Sequence, residues 1–360
     1  MPPSGSRGVG DGGWVTGSAP GRSRPASYPF GGYGGSGGRL LRIPSWSQPL
    51  GTPMEKVLIT GIGSGPGRLL TERLRTRFEV LGVDRTPWED HPAEVAVHVL
   101  DLRKKGFEDL LRTERPSHVV HMGFIRHFKG DPNRRHEINV RGTKQLLDHC
   151  HRYEVTNLVV MSSSYVYGAF PENPFYLDED QPLSASRSYP EIRDLVEVDT
   201  MATGFLWRHP EIRTTVLRPV SVLGPNSRSM MAEYLRQERA PTVLGFDPMM
   251  QFLHEQDLTD AIAMTLEQDL AGVYNVVGAG QVPLHTAIEE TGGVAWPIPE
   301  PLFRPGVRML FGAGMAPWPP GAIDYLKYPV TLAGDALAQA IGFKALFGLE
   351  ETFRSLRGRG

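Results

Sequence analysis

The sequence predicts an α/β protein built on a doubly wound parallel sheet. Three observations carry that reading. Short apolar runs alternate with helix-period segments from residue 56 to residue 219. The runs are apolar on both faces, as a sheet covered by helices requires. The first run passes at once into a glycine-rich turn that opens a helix, "TGIGSGPGRLL" (60–70).

Each element follows in order. "KVLIT" (56–60) is the first strand. Pro66 suits the first turn of the next helix, where no intrahelical N–H is needed. Leu70, Leu74 and Phe78 then recur at helical spacing. "EVLGVD" (79–84), "VAVHVLD" (95–101) and "HVVHMG" (118–123) are the next strands. A helix through "EINVRGTKQLLDHCHRY" leads to "NLVVMSSS" (157–164), and a helix opening near Tyr189 leads to "TTVLRP" (214–219). Beyond Pro219 the order loosens. "GVYNVVG" (272–278) reads as a strand, and "ALAQAIGF" and "LEETFRSLR" read as helices. "PLFRPGVRMLFGAGMAPWPPG" (301–321) is broken by Pro and Gly. The expected division is a sheet domain over 54–220 and a smaller, irregular substrate-binding domain over 221–360, with 241–265 returning to the sheet.

Composition narrows the function classes. With 40% hydrophobic and 22% charged residues the chain is ordinary globular material. A net charge of -2 argues against nucleic acid or an anionic membrane surface as partner. No apolar run is long enough to span a bilayer. Cys150 stands alone, so no intrachain disulfide forms, which fits a reducing, cytoplasmic setting. Residues 1–53 differ from the rest: they hold five Arg against the single acid Asp11 and are rich in Gly, Pro and Ser. They lack the apolar periodicity to offset ordering entropy and read as disordered. Three origins stay open: a start at Met54, a flexible tail, or an Arg- and Ser-rich transit segment.

The glycine turn between strand and helix is the context a dinucleotide fingerprint requires. Glycines let backbone approach a pyrophosphate at the helix N-terminus. Gly61, Gly63, Ser64 and Gly67 form the turn, and Asp84 ends the second strand. An acid there accepts from the adenosine ribose hydroxyls and repels a 2′-phosphate, which favours NAD over NADP. Arg85 beside it works against that preference. The alternative is a tight turn with no ligand; strand, turn, helix and acid together favour the ligand.

These motifs carry a resemblance. "TGIGSGPG" is similar to T-G-x-x-G-x-x-G, with Ser64 where the middle Gly belongs. "LDL", with Asp101 and Leu102, resembles the segment that contacts adenine after the third strand. "VVHMGF" (119–124), with Met122 and Gly123, resembles a segment whose backbone lines the cofactor. "NVRGTKQLL" (139–147), "SSSYVYG" (162–168), "LRPVSVLGP" (217–225) and "QFLHEQDLTDAI" (251–262) follow in the same order. Together they resemble the extended short-chain dehydrogenases, the NAD-dependent epimerase/dehydratase family, from Met54 almost to the C-terminus. The resemblance implies a Rossmann-type sheet, NAD as cofactor and a small-molecule substrate, and it leaves a homodimer open. It also implies an oxidoreductase or epimerase/dehydratase acting at a secondary alcohol or ketone, with a nucleotide sugar among the substrates.

Within that resemblance "SYPEIRD" (188–194) gains a role. Tyr189 fills the family's catalytic Y-x-x-x-K tyrosine position, Arg193 the lysine position, and Ser163 the serine that holds the substrate oxygen. Tyr189 and Arg193 would also border the cofactor. Hydride transfer at a carbinol carbon is coupled to proton transfer at its oxygen, and a tyrosine serves if a cation lowers its pKa. Tyr and Arg at i and i+4 would share a helix face. Arg keeps the charge but is a planar fork that does not deprotonate. Ser64 and Arg193 both depart from the family pattern, so an NAD(H)-binding sensor or scaffold with little turnover is the second reading.

Other residues carry less. His121, on a central strand, reads as packing. His118, His127, His136, His149 and His151 show no metal-ligand spacing and no accompanying carboxylate cluster, so no metal is expected. Arg304 and Arg308 could hold an anion or stand solvated. The Trp, Met and Phe residues between Trp296 and Trp318 suggest an apolar lid.

Overall fold

The computed structural model describes residues 54–128 and 130–357. The expectation of disorder for 1–53 lies outside the described residues. In chain order the elements are β1 Lys56–Thr60, α1 Gly65–Leu74, β2 Glu79–Asp84, β3 Ala96–Val99, α2 Lys105–Glu114, β4 His118–His121, α3 Pro132–His136, α4 Gly142–Arg152, β5 Asn157–Met161, α5 Arg193–Arg208 and β6 Arg213–Pro219. There follow β7 Ser221–Leu223, α6 Met230–Leu235, β8 Arg239–Val243, β9 Met249–Met250, β10 Phe252–His254, α7 Glu255–Glu267, β11 Gly272–Val276, β12 Val282–Pro283, α8 Leu284–Glu290, β13 Val294–Ile298, α9 Glu300–Gly312, α10 Asp335–Ile341 and α11 Leu349–Arg357.

Seven strands form the main sheet in the order β11-β6-β5-β4-β1-β2-β3. Every pairing in it is parallel. Side-chain alternation explains its two covered faces. Val57 and Ile59 of β1 point into one core with Leu70, Leu74, Leu258 and Ile262, so α1 and α7 cover that face. Leu58, between them, points into the other with Phe107, Leu111, Leu146, Leu147, Ala202 and Phe205, so α2, α4 and α5 cover the opposite face. All three β1 residues are fully buried. Each such side chain contributes roughly 1.5–3 kcal/mol through burial.

The smaller part is built from paired short strands. β7 pairs with β10 and β8 with β13 in parallel, while β9 and β12 are antiparallel. They surround a third core of Leu223, Met231, Tyr234, Phe252, Leu284 and Phe353.

Two expectations need correction. The return to the main sheet runs through α7 and ends in β11, so it extends past 265 and starts later than 241. The stretch 301–321 is less broken than its Pro and Gly content suggests. Helix α9 continues through Pro305, and of its residues Phe303 is buried. An exposed helix loses one backbone bond at such a Pro without disturbing a packed core. Among the described residues no helix is long and apolar enough to cross a membrane.

Candidate active site and cofactor cleft

Strand order reverses between β1 and β4: the chain leaves β1 toward β2 and β3 and returns to β4 on the other side. The carboxyl ends of those strands are where open α/β sheets bind ligands, in the crevice at the switch point. The sequence places its glycine turn there. Gly61 has φ +74°, and a Cβ on it would stand 2.7 Å from the Cα of Gly123 beyond β4. Only glycine allows that approach.

Below the crevice a chain of hydrogen bonds ties β1 to β4. The Thr60 hydroxyl accepts from the N–H groups of Met122 and Gly123, both at 3.2 Å, and donates to His121 Nδ1 at 2.7 Å. His121 Nε2 donates to Thr143 Oγ1 at 2.9 Å, which donates to the Asn139 carbonyl at 2.5 Å. Burial pushes the imidazole down to about 3, so it is neutral. The packing role expected of His121 is met, with hydrogen bonds added.

Ser64, in the position of the family's middle glycine, caps α1. Its hydroxyl accepts from Gly67 N–H at 3.1 Å and donates to the Gly61 carbonyl at 2.7 Å. Pro66 contributes no N–H to this first turn. Asp84 braces the same loop. Its Oδ2 accepts from Gly63 N–H at 3.0 Å, and its Oδ1 accepts from the N–H groups of Arg85 and Thr86 at 2.6 and 3.1 Å. A carboxylate oxygen has two acceptor positions. Oδ2 therefore retains one for a ribose hydroxyl, and the turn, the acid and the switch point fit a dinucleotide. Asp101 is held differently: Arg103 pairs with it at 2.6 Å and holds its carboxyl down at about 2. Leu102 is half-buried beside the start of α4.

On the neighbouring strand, β5 leads into Ser163, which is nearly buried and accepts from Tyr165 N–H at 3.3 Å. The Tyr165 ring packs on Tyr325 at 4.8 Å, and Tyr325 on Tyr189 at 5.9 Å. Tyr325 donates its hydroxyl to the Tyr165 carbonyl at 2.6 Å. Ser163 and Tyr189 thus sit at two ends of one aromatic cluster.

Arg193 does not join them, and the shared helix face is not formed. Helix α5 begins at Arg193, and Tyr189 precedes it at φ -132° and ψ 75°. Proline tolerates a first helical turn, but it drives the residue before it out of the helical region; Pro190 does that to Tyr189. The Arg193 side chain lies in solvent and pairs with Glu197 at 2.9 Å. Tyr189 is fully buried, and its hydroxyl meets Met230 Sδ at 3.9 Å. Burial raises its pKa well above the usual tyrosine value, opposite to the lowering expected from Arg193. The cation that opposes this rise is Arg135. Arg135 is held at 3.2 Å by Asp194, which also accepts from Asn139 Nδ2 at 2.6 Å.

Tyr325, Arg135 and Asp194 escaped the sequence reading. Tyr325 comes from the irregular C-terminal part, and Arg135 from a one-turn helix that shows no periodicity. A buried pair also went unread: Arg218 grips Asp199 with two bonds, 2.9 and 2.8 Å, and donates to the Tyr167 hydroxyl at 3.0 Å. It joins the "LRP" and "VYG" segments. Of the two arginines proposed for an anion, Arg304 is paired with Asp324.

Comparisons with known proteins agree with this fold. The NAD dependent epimerase/dehydratase family matches residues 57–277. The uncharacterized protein Rv0501 of Mycobacterium tuberculosis is 29% identical over 253 residues, 68% of this chain and 67% of that protein. The Thermus thermophilus UDP-glucose 4-epimerase, solved with NAD, superposes with a TM-score of 0.67 at 23% identity, covering 85% of this chain and 100% of its own. DesIV, a dTDP-glucose 4,6-dehydratase from Streptomyces venezuelae with NAD and TYD bound, gives 0.67 at 17% identity, covering 84% and 96%. The family match spans well over half of the chain, from the first strand through β11, and the chain belongs to the NAD-dependent epimerase/dehydratase family of enzymes.

Proposed function

We propose that the protein catalyses NAD-dependent oxidation–reduction at a secondary alcohol or ketone, leading to epimerisation or dehydration, with a nucleotide sugar as the substrate class. The observation that carries this is the glycine turn at the β1–β4 switch point. The turn is braced by Asp84, and the neighbouring strand β5 runs into Ser163 and the tyrosine cluster. The nucleotide-sugar names of the structural neighbours support the substrate class.

NAD supplies the hydride-accepting group when bound. The chain's own residues handle the oxygen and its proton. Ser163 accepts from Tyr165 N–H and keeps its hydroxyl proton to donate to the substrate oxygen. Tyr189 takes up or returns the proton of that oxygen. Asp84, through Oδ2, orients the adenosine ribose and disfavours a 2′-phosphate. Arg135, the cation that opposes the rise in the Tyr189 pKa, is the candidate for the positive charge, since Arg193 is turned away to Glu197.

The buried state of Tyr189 favours a second reading, an NAD(H)-binding sensor with little turnover. One experiment separates them. NAD and NADP binding are titrated by calorimetry, and UDP- and dTDP-sugars and simple alcohols are then followed by nicotinamide absorbance and product analysis. Tight NAD binding with turnover lost in Tyr189→Phe supports the enzyme reading. Tight binding with no turnover on any substrate supports the sensor. Absence of NAD binding overturns both.

A further inference from the structure

We propose a divalent-metal site of zinc type on the face of the protein remote from the cofactor cleft, formed by His151, His209 and Glu211. His151 lies near the C-terminal end of α4, and His209 caps the C-terminal end of α5. Those helix ends lead into the starts of β5 and β6, so the cluster sits at the amino ends of the strands. The dinucleotide crevice is at their carboxyl ends. His151 Nδ1 and His209 Nδ1 approach the same oxygen, Glu211 Oε1, at 3.2 and 3.0 Å. One ligand atom from each of the three residues lies within 4.8 Å of the others.

The dimensions suit the ion. With Zn–N and Zn–O bonds of about 2.0–2.1 Å, tetrahedral ligand atoms stand about 3.3 Å apart. The two imidazole–carboxylate edges are already near that length. The imidazoles are 4.2 Å apart between ring centroids, so a modest turn of the exposed His151 closes the third edge. Each ring needs only to carry its proton on Nε2 to offer Nδ1 to the metal. Three protein ligands leave a fourth position for water.

The site is also partly preorganised. The His209 ring packs on Phe205 at 4.5 Å. The turn that carries Glu211 is closed by His209 N–H to the Phe205 carbonyl at 2.9 Å and Ile212 N–H to the His209 carbonyl at 3.0 Å. Nearby cations are engaged elsewhere: Arg152 with Glu108, Arg208 with the Gly204 carbonyl, and Arg213 with Asp269. A bound ion would join the end of α4 to the α5–β6 turn. Spacing along the sequence could not reveal the site, because His151 is distant in the chain from His209 and Glu211.

The test uses the full chain, stripped with chelator and titrated with zinc chloride by calorimetry. The expected result is one site of micromolar affinity. His151→Ala and His209→Ala should each weaken it at least tenfold, and Glu211→Gln should also weaken it. Zinc at a hundredfold excess over the dissociation constant should raise the wild-type melting temperature by roughly 3–8 °C and that of His209→Ala much less. Cobalt(II) in place of zinc should give visible absorption bands that His151→Ala abolishes. These side chains are at the surface, and unchanged circular dichroism in each variant excludes misfolding as the cause. No binding below millimolar zinc, or binding that all three substitutions leave intact, overturns the proposal.

Discussion

Gly321 lies against the ring of Tyr189: a Cβ on Gly321 would stand 2.7 Å from Tyr189 Cδ2 and 2.9 Å from its Cα. The contact explains why a proposed acid/base has no exposed surface. Gly321→Ala should force ring or backbone to shift, costing about 1–3 kcal/mol. The expected outcome is a melting temperature lower by a few degrees, measured by calorimetry. A gain in stability would show that the segment over Tyr189 is loosely packed.

Tyr189→Phe removes only a hydroxyl that meets the Met230 sulfur at long range. Stability and NAD affinity should stay nearly unchanged. Turnover should fall about 10²–10⁴-fold, the usual contribution of a general acid/base. Steady-state kinetics beside a cofactor titration checks both halves.

Arg193 and Arg135 make contrasting forecasts. Arg193 is exposed and paired along its own helix, so Arg193→Ala should change stability by about 0.5 kcal/mol or less. Arg135 is bonded to nearly buried Asp194, and Arg135→Ala leaves that carboxylate short of a partner, at a cost of about 1–3 kcal/mol. If Arg193 provides the catalytic charge, its alanine variant loses turnover while keeping its melting temperature. If only Arg135→Ala shifts the alkaline limb of the pH profile, the charge comes from Arg135.

Arg218→Met should be among the most damaging single changes. Both members of its pair with Asp199 are fully or almost fully buried. Burial by itself would lower the arginine's pKa, but the Asp199 carboxylate outweighs it and the net direction is upward. Removing one partner leaves a charge in the core, which costs about 3–5 kcal/mol. Denaturant unfolding should show the midpoint fall with little change in slope.

Asp101 offers a test in pH. Its folded pKa of about 2 lies below the unfolded value of about 3.9. The pair with Arg103 therefore contributes stability above pH 4, and that contribution disappears as pH falls through about 2. Both side chains keep some exposure, which limits the contribution to about 1–2 kcal/mol. Wild type and Arg103→Ala should differ at pH 7 and converge near pH 2 in denaturant titrations.

The sheet was legible because its signal is local. "KVLIT" and "EVLGVD" are strands over the bounds read from the sequence, since apolar runs this short, bounded by turns, suit a buried strand better than a helix. Asp84 was legible because its place is fixed by the end of β2. Tyr189 shows where such reading stops. Its spacing to Arg193 is helical, yet the neighbouring Pro190 and the distant Gly321 determine its conformation and cover. Arg304 shows the same limit, since its acid, Asp324, stands twenty residues further along in an irregular segment.

The chain Thr60–His121–Thr143 has a consequence for acid tolerance. Every hydrogen in it points the same way, so the Thr60 hydroxyl fills His121 Nδ1 and opposes its protonation while folded. The unfolded chain takes up that proton below pH 6.5. A base whose folded pKa is lowered to about 3 makes the native state lose ground steadily as pH falls from 6.5 toward 3. That loss amounts to a few kcal/mol, on the order of 1.4 per pH unit. This contribution to acid sensitivity lies at the centre of the sheet, and salt that screens surface charges will not relieve it.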